Sequence, residues 1–180
     1  MTGPSGGASP RAQRVLASSF AENLEALSIE ELRRRRDETL AEREFQSYLR
    51  RLVQVRQDIL SAEKERREAH AEAKPLVERL TAVLSAGPQG RGRGEALRLE
   101  LSEEDLAEAD RRANEVLGDA AMANPETLSD DELGRALEAL GAQEHEVSMG
   151  RASILRIHDR FQEELKRRYR EDPSLALEGH

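Results

Sequence analysis

The chain has no cysteine and no tryptophan, and aromatic residues make up only 3% of its 180 residues. Without thiols there can be no disulfide, iron–sulfur cluster or thiolate zinc site. So small an aromatic and β-branched payload does not suit a compact α/β or all-β core. No apolar run approaches the length of a membrane span, and the N-terminus lacks the apolar core of a signal segment, so a cytoplasmic protein with no membrane partner is expected. Lysine is scarce as well. Lys64, Lys74 and Lys166 are the only three, so nearly every basic side chain is arginine, a bias that a GC-rich bacterial genome produces. The net charge of −8 argues against direct nucleic-acid binding, which needs a basic surface, and suits a protein that covers a basic partner.

What remains is a chain with 36% charged and 37% hydrophobic residues, rich in Ala, Glu, Leu and Arg. That composition suits long helices with narrow apolar seams. The fold class expected is all-α: a long helical hairpin packed as a coiled coil, with additional short helical segments. Residues 1–22 open on Thr2-Gly3-Pro4-Ser5-Gly6-Gly7 and read as a flexible N-terminal tail. Residues 23–84 read as the first long helical segment, entered through a capping box with Ser28 as N-cap and Glu31 three residues on. Residues 85–127 read as a Gly/Arg linker and a short helix whose capping box runs from Ser102 to Asp105. Residues 128–170 form the second long helix, with Ser129 and Glu132 at its start, and 171–180 a C-terminal tail begun by Pro173.

The two long segments repeat. A shift of 101 positions carries Leu27, Ser28, Glu31 and Leu32 onto Leu128, Ser129, Glu132 and Leu133. The same shift, without gaps, carries Ser47, Arg50 and Asp58 onto Ser148, Arg151 and Asp159, and Glu63, Arg66 and Arg67 onto Glu164, Arg167 and Arg168. Each segment therefore bears a polar row: Ser47, Arg50, Gln54 and Asp58 in the first, Glu144, Ser148, Arg151 and Asp159 in the second. Spacings of three and four residues hold each row on one side of a helix. At about 100° per residue, the apolar residues Phe45, Leu49, Leu52, Val53, Ile59 and Leu60 centre on the opposite side. Val147, Ile154, Ile157, Phe161 and Leu165 form the matching seam of the second helix.

A single such row is usually a solvated face, worth little beyond i,i+4 attraction. Its recurrence in register with the helix caps is what invites a ligand. Guanine suits these side chains: its O6 and N7 accept an arginine fork, and a carboxylate can accept from its N1–H and N2–H donors. Guanidinium groups also stack on bases and attract phosphate. Two rows of this kind fit a ligand with two guanines and a phosphodiester, the constitution of cyclic di-GMP.

The pattern Glu-x3-Ser-x2-Arg-x3-Gln-x3-Asp, once on each long helix, resembles the RsiG family of cyclic di-GMP-dependent anti-sigma factors. Residues 47–60 resemble the first motif of that family, and Glu144 to Asp159, with Glu164 and Arg167-Arg168-Tyr169, the second. The resemblance implies antiparallel helices that bind cyclic di-GMP through Ser47, Arg50, Gln54, Asp58, Glu144, Ser148, Arg151 and Asp159. It also implies a partner, an RNA polymerase sigma factor of the sporulation or flagellar type (WhiG-like). Two positions depart from the pattern: Arg43 stands where Glu is expected, flanked by Glu42 and Glu44, and Leu155 stands where Gln is expected.

No enzyme is expected. His70, His145, His158 and His180 show no metal-ligand spacing, so no metal is expected, and no serine has a histidine base in evident reach. Gly90 to Gly94 lacks a phosphate-loop lysine and a preceding strand. The alternative to a nucleotide-binding anti-sigma factor is a structural or adaptor coiled coil whose polar rows simply meet water.

Overall fold

In the computed structural model of the chain, residues 9–69 and 101–176 are described. Two long helices pack together, with short helices around them and no strand among the described residues. Helix α1 spans Pro10–Leu16, α2 Ile29–Glu68, α3 Glu103–Ala113, α4 Asp119–Ala123 and α5 Asp130–Glu171. Short 3-10 turns at Ser18–Ala21, Leu24–Ala26, Pro125–Thr127 and Pro173–Ala176 join or follow them. No described helix is long and apolar enough to cross a membrane. The expected continuation of the first helix to residue 84 and the Gly/Arg linker lie outside the described residues.

Helix boundaries follow local chemistry. Ser129 Oγ accepts from the Glu132 backbone N–H at 3.3 Å, and the Glu132 carboxylate accepts from the Ser129 N–H at 2.8 Å, a reciprocal capping box. Ser102 Oγ accepts from the Asp105 N–H at 3.1 Å. Ser28 Oγ likewise accepts from the Glu31 N–H at 3.2 Å, but the Glu31 carboxylate turns to Arg34 and Arg35 instead of closing the box.

The chain divides into two compact units, and each long helix contributes to both. The first comprises Met1–Ser47 and Ser148–His180. Its core gathers Val15, Phe20, Ala21, Ile29, Leu32, Ile154, Phe161 and Leu165. Phe20 meets Phe161 edge to face at 5.7 Å between ring centroids, the favoured geometry for such a pair. Arg33, near the start of α2, donates to the Tyr169 hydroxyl near the end of α5 at 2.9 Å, so the helices run antiparallel here.

Residues 1–22, expected as a flexible tail, behave differently over their described part. Helix α1 buries Ala12 and Val15, and the turn after it buries Phe20 and Ala21. Polar anchors hold this segment on α2. Arg11 Nε donates to the Glu42 carboxylate at 2.8 Å and its guanidinium lies over the Phe45 ring; Arg14 pairs with Glu38. Arg35 donates to the Phe20 carbonyl at 2.7 Å. Glu42 is thereby fully buried with Arg11, Ser9 and Gln46 around it. A buried carboxylate survives only with such partners.

The second unit, Tyr48–Val147, buries Leu49, Val53, Ile59 and Leu60 of α2 and Leu133, Ala136, Leu140 and Val147 of α5. Ala109 and Ala113 of α3 and Met122 of α4 are buried as well. Arg67 near the end of α2 pairs with Asp130 at the start of α5 at 2.6 Å, so this pairing is antiparallel too. Along α5 the buried residues Leu133, Leu140, Val147, Ile154 and Phe161 recur every seven positions, the signature of a coiled-coil seam.

Candidate functional site

Each unit holds one set of the row residues, and each set mixes the two sequence copies. In the second unit, Arg50 and Gln54 of α2 meet Glu144 of α5. Arg50 Nε donates to Glu144 Oε1 at 2.7 Å, and Gln54 Nε2 approaches the same oxygen at 3.4 Å. The pair remains open to solvent, with side chains 39% and 23% exposed. Asp58, one helical turn beyond Gln54, is exposed. A guanidinium fork, an amide and two carboxylates offer donors and acceptors together, which is what a guanine edge requires.

In the first unit, Arg151 of α5 donates from Nε to Ser47 Oγ of α2 at 2.9 Å. The Ser47 hydroxyl donates a hydrogen bond to the Arg43 carbonyl at 2.8 Å, so its lone pairs are free to accept from Arg151. Ser148 is half-buried and Asp159 exposed on α5. Arg43 is half-buried on α2, one turn before Ser47. Of the glutamates flanking it, Glu42 is taken by Arg11, leaving Glu44 half-buried beside the row.

Next to Asp159 lies His158, which the sequence marks only as one of four histidines without metal-ligand spacing. It is buried, and its Nδ1 sits 3.6 Å from Asp159 Oδ1, too far for a hydrogen bond. Burial holds the imidazole below its ordinary value. Attraction to Asp159 opposes that shift, while Arg43 and Arg36 reinforce it. His158 is therefore neutral at pH 7 and does not offset the charge of Asp159. Only its place at one side of the Ile154–Phe161 seam could have marked it beforehand.

The repeat also reaches residues that clamp the helices. In the second unit Arg67 donates to the carbonyls of Pro125 and Leu128 at 3.1 and 2.8 Å and to Glu63 at 2.8 Å. In the first unit Arg168 donates to Leu24 and Leu27 carbonyls at 3.0 and 2.7 Å and to Glu164 at 2.8 Å. Every one of these residues maps onto its counterpart by the same shift of 101. Hydrogen bonds from Arg66 first, then Arg67, hold Glu63 down at about 2, against desolvation. Arg167 and Arg168 do the same for Glu164, also at about 2.

Residues 18–84 match the RsiG-like family. The matched span includes Ser47, Arg50, Gln54 and Asp58, with the turn and capping residues that precede them, and covers a little over a third of the chain. The match supports an RsiG-type assignment. That family suggests an anti-sigma factor role, with a sigma factor as partner in general terms. A comparison with curated proteins finds no match.

Proposed function

We propose that this protein is a cytoplasmic anti-sigma factor that binds cyclic di-GMP and, when loaded, sequesters an RNA polymerase sigma factor of the sporulation or flagellar type (WhiG-like). It regulates transcription by binding and catalyses nothing. The second-unit set, Arg50, Gln54, Asp58 and Glu144, takes a guanine. The first-unit set, Ser47, Ser148, Arg151 and Asp159, also binds cyclic di-GMP. The observation that carries this reading is that both row arginines are held by a side chain of the opposite helix while staying open to solvent. A guanidinium fixed in this way loses little rotamer freedom on binding, and preorganisation of that kind favours affinity.

Dependence of sigma-factor binding on the nucleotide follows by linkage: whatever the ligand adds to the affinity for the partner, the partner adds to the affinity for the ligand. Calorimetric titration with cyclic di-GMP, with and without the sigma factor and with cyclic AMP as control, tests the reading. Saturable heat from cyclic di-GMP that is lost in Arg50→Ala and Arg151→Ala supports it, and no heat in either case removes it.

A second reading, an adaptor coiled coil without a small ligand, draws on the Arg50–Glu144 pair, in which each group already satisfies the other. It requires that both alanine variants leave partner binding unchanged.

A further inference from the structure

The two sets differ in chemistry, and the difference gathers in one unit. Arg43 and Leu155, the two departures from the repeated pattern, both belong to the first unit. The second unit keeps one row guanidinium, Arg50, with two row carboxylates, Glu144 and Asp58. In the first unit the row positions carry Arg43 and Arg151 against the one row carboxylate Asp159, with Glu44 beside the row. Arg50 is neutralised by Glu144 at 2.7 Å. Arg151 instead meets only the neutral Ser47 hydroxyl, and among the described residues neither Arg43 nor Arg151 lies in an ion pair with a carboxylate. Nearby Glu42 is engaged by Arg11 and buried, so it cannot answer Arg43. Neutral His158 brings neither a competing cation nor an anion.

We infer that Arg43 is a ligand-binding residue that turns the first-unit set into a phosphate grip, Arg43 and Arg151 together holding a phosphodiester of the nucleotide. This rests on the proposed nucleotide reading and deepens it. A guanine needs acceptors for its N1–H and N2–H as well as donors for O6 and N7. With Glu replaced by Arg43 and Gln by Leu155, the first unit retains few acceptors and gains a donor fork. Such a set suits a diester anion, which guanidinium groups bind through short, charge-assisted hydrogen bonds. The two sets would then differ in what they recognise, the second the base and the first the charge of a dinucleotide.

The test titrates the full chain with cyclic di-GMP and with cyclic di-AMP, which carries the same diester and a different base, at several salt concentrations. Wild type is compared with Arg43→Glu and Arg43→Gln, with circular dichroism confirming that each variant keeps its helix content. Losing one charge-assisted contact predicts cyclic di-GMP binding weakened roughly 10- to 100-fold in Arg43→Glu, less in Arg43→Gln. It also predicts a flatter salt dependence, because one screened charge pair is gone. Arg43→Glu, which restores the residue the pattern expects, binding as tightly as wild type or more tightly overturns the inference and leaves the proposed function standing. Equal binding of both dinucleotides, each weakened by Arg43→Glu, overturns guanine recognition and upholds the phosphate grip. A wild-type chain that binds neither overturns both.

Discussion

Replacing Arg67 by alanine removes one guanidinium from five partners, the Glu126 carbonyl being the most distant at 3.5 Å, and the structure lets the cost be apportioned. The pair with Asp130 contributes little, because Asp130 is 87% exposed and a surface ion pair is worth about 0–1 kcal/mol. The bond to Glu63 is only partly lost in effect, since Arg66 still reaches both carboxylate oxygens at 2.7 and 2.9 Å. The main loss is at the carbonyls of Pro125 and Leu128, each accepting a charged donor worth about 1.5 kcal/mol at the lower end. The freed rotamer entropy returns about 1–2 kcal/mol. The net expectation for Arg67→Ala is a destabilisation on the order of 2 kcal/mol. Arg168→Ala should cost as much or slightly more: both arginines reach three carbonyls, but the third for Arg168, Glu25, lies at 3.0 Å, whereas Glu126 lies 3.5 Å from Arg67. Arg67→Lys keeps the charge but loses the fork, and should recover less than half of the loss. Urea denaturation followed by far-UV circular dichroism, with linear extrapolation, measures all of these. The reasoning fails if Asp130→Ala costs more than Arg67→Ala, or if either arginine variant unfolds at the wild-type midpoint.

The held-down carboxylates predict how stability falls in acid. Glu63 and Glu164 titrate at about 2 in the folded chain against an ordinary 4.5, so the unfolded chain binds more protons between those values. Their contribution, on the order of 1–2 kcal/mol each, is complete above about pH 4.5 and lost as pH falls toward 2. His158 acts in the same direction at an earlier stage: its folded value is lowered, so its contribution starts to fall as pH drops through 6.5. Urea midpoints measured across this range should fall in that order, and Glu63→Gln with Glu164→Gln should flatten the acid limb. Phe20→Ala should destabilise the chain by about 3 kcal/mol, as expected for a buried ring with an aromatic partner; a thermal midpoint equal to wild type would show that the N-terminal segment is an undocked tail.

The helical class was legible because composition, the capping boxes and the apolar seam of Val147, Ile154, Ile157, Phe161 and Leu165 point the same way. The caps at Ser102 and Ser129 were legible for a local reason: four consecutive residues contain the whole hydrogen-bonded motif. The docking of the N-terminal segment was not, because it depends on distant partners. Arg11 finds Glu42 thirty-one positions away, and Phe20 finds Phe161 on the other long helix. Nothing local to a stretch of serine, alanine and arginine announces this. Nor could the burial of Glu42 be read from its neighbours, since a glutamate between Ala41 and Arg43 looks like surface until Arg11 covers it.

The site was half legible for a related reason. Spacing on one helix shows which residues share a face, but only the packing of the second helix decides what each one meets. The rows read along the chain suggest two equivalent copies, each complete in itself. In space the lead residue of each row works with the other row's arginine: Glu144 holds Arg50, and Ser47 receives Arg151. A substitution early in the first copy therefore changes the surroundings of the second copy's arginine and spares its own. That is why Arg43 and Leu155, one from each copy, accumulate in a single unit while the Glu144, Arg50, Gln54 and Asp58 set stays whole. Two departures that look like even erosion of both motifs amount to the remaking of one set and the preservation of the other.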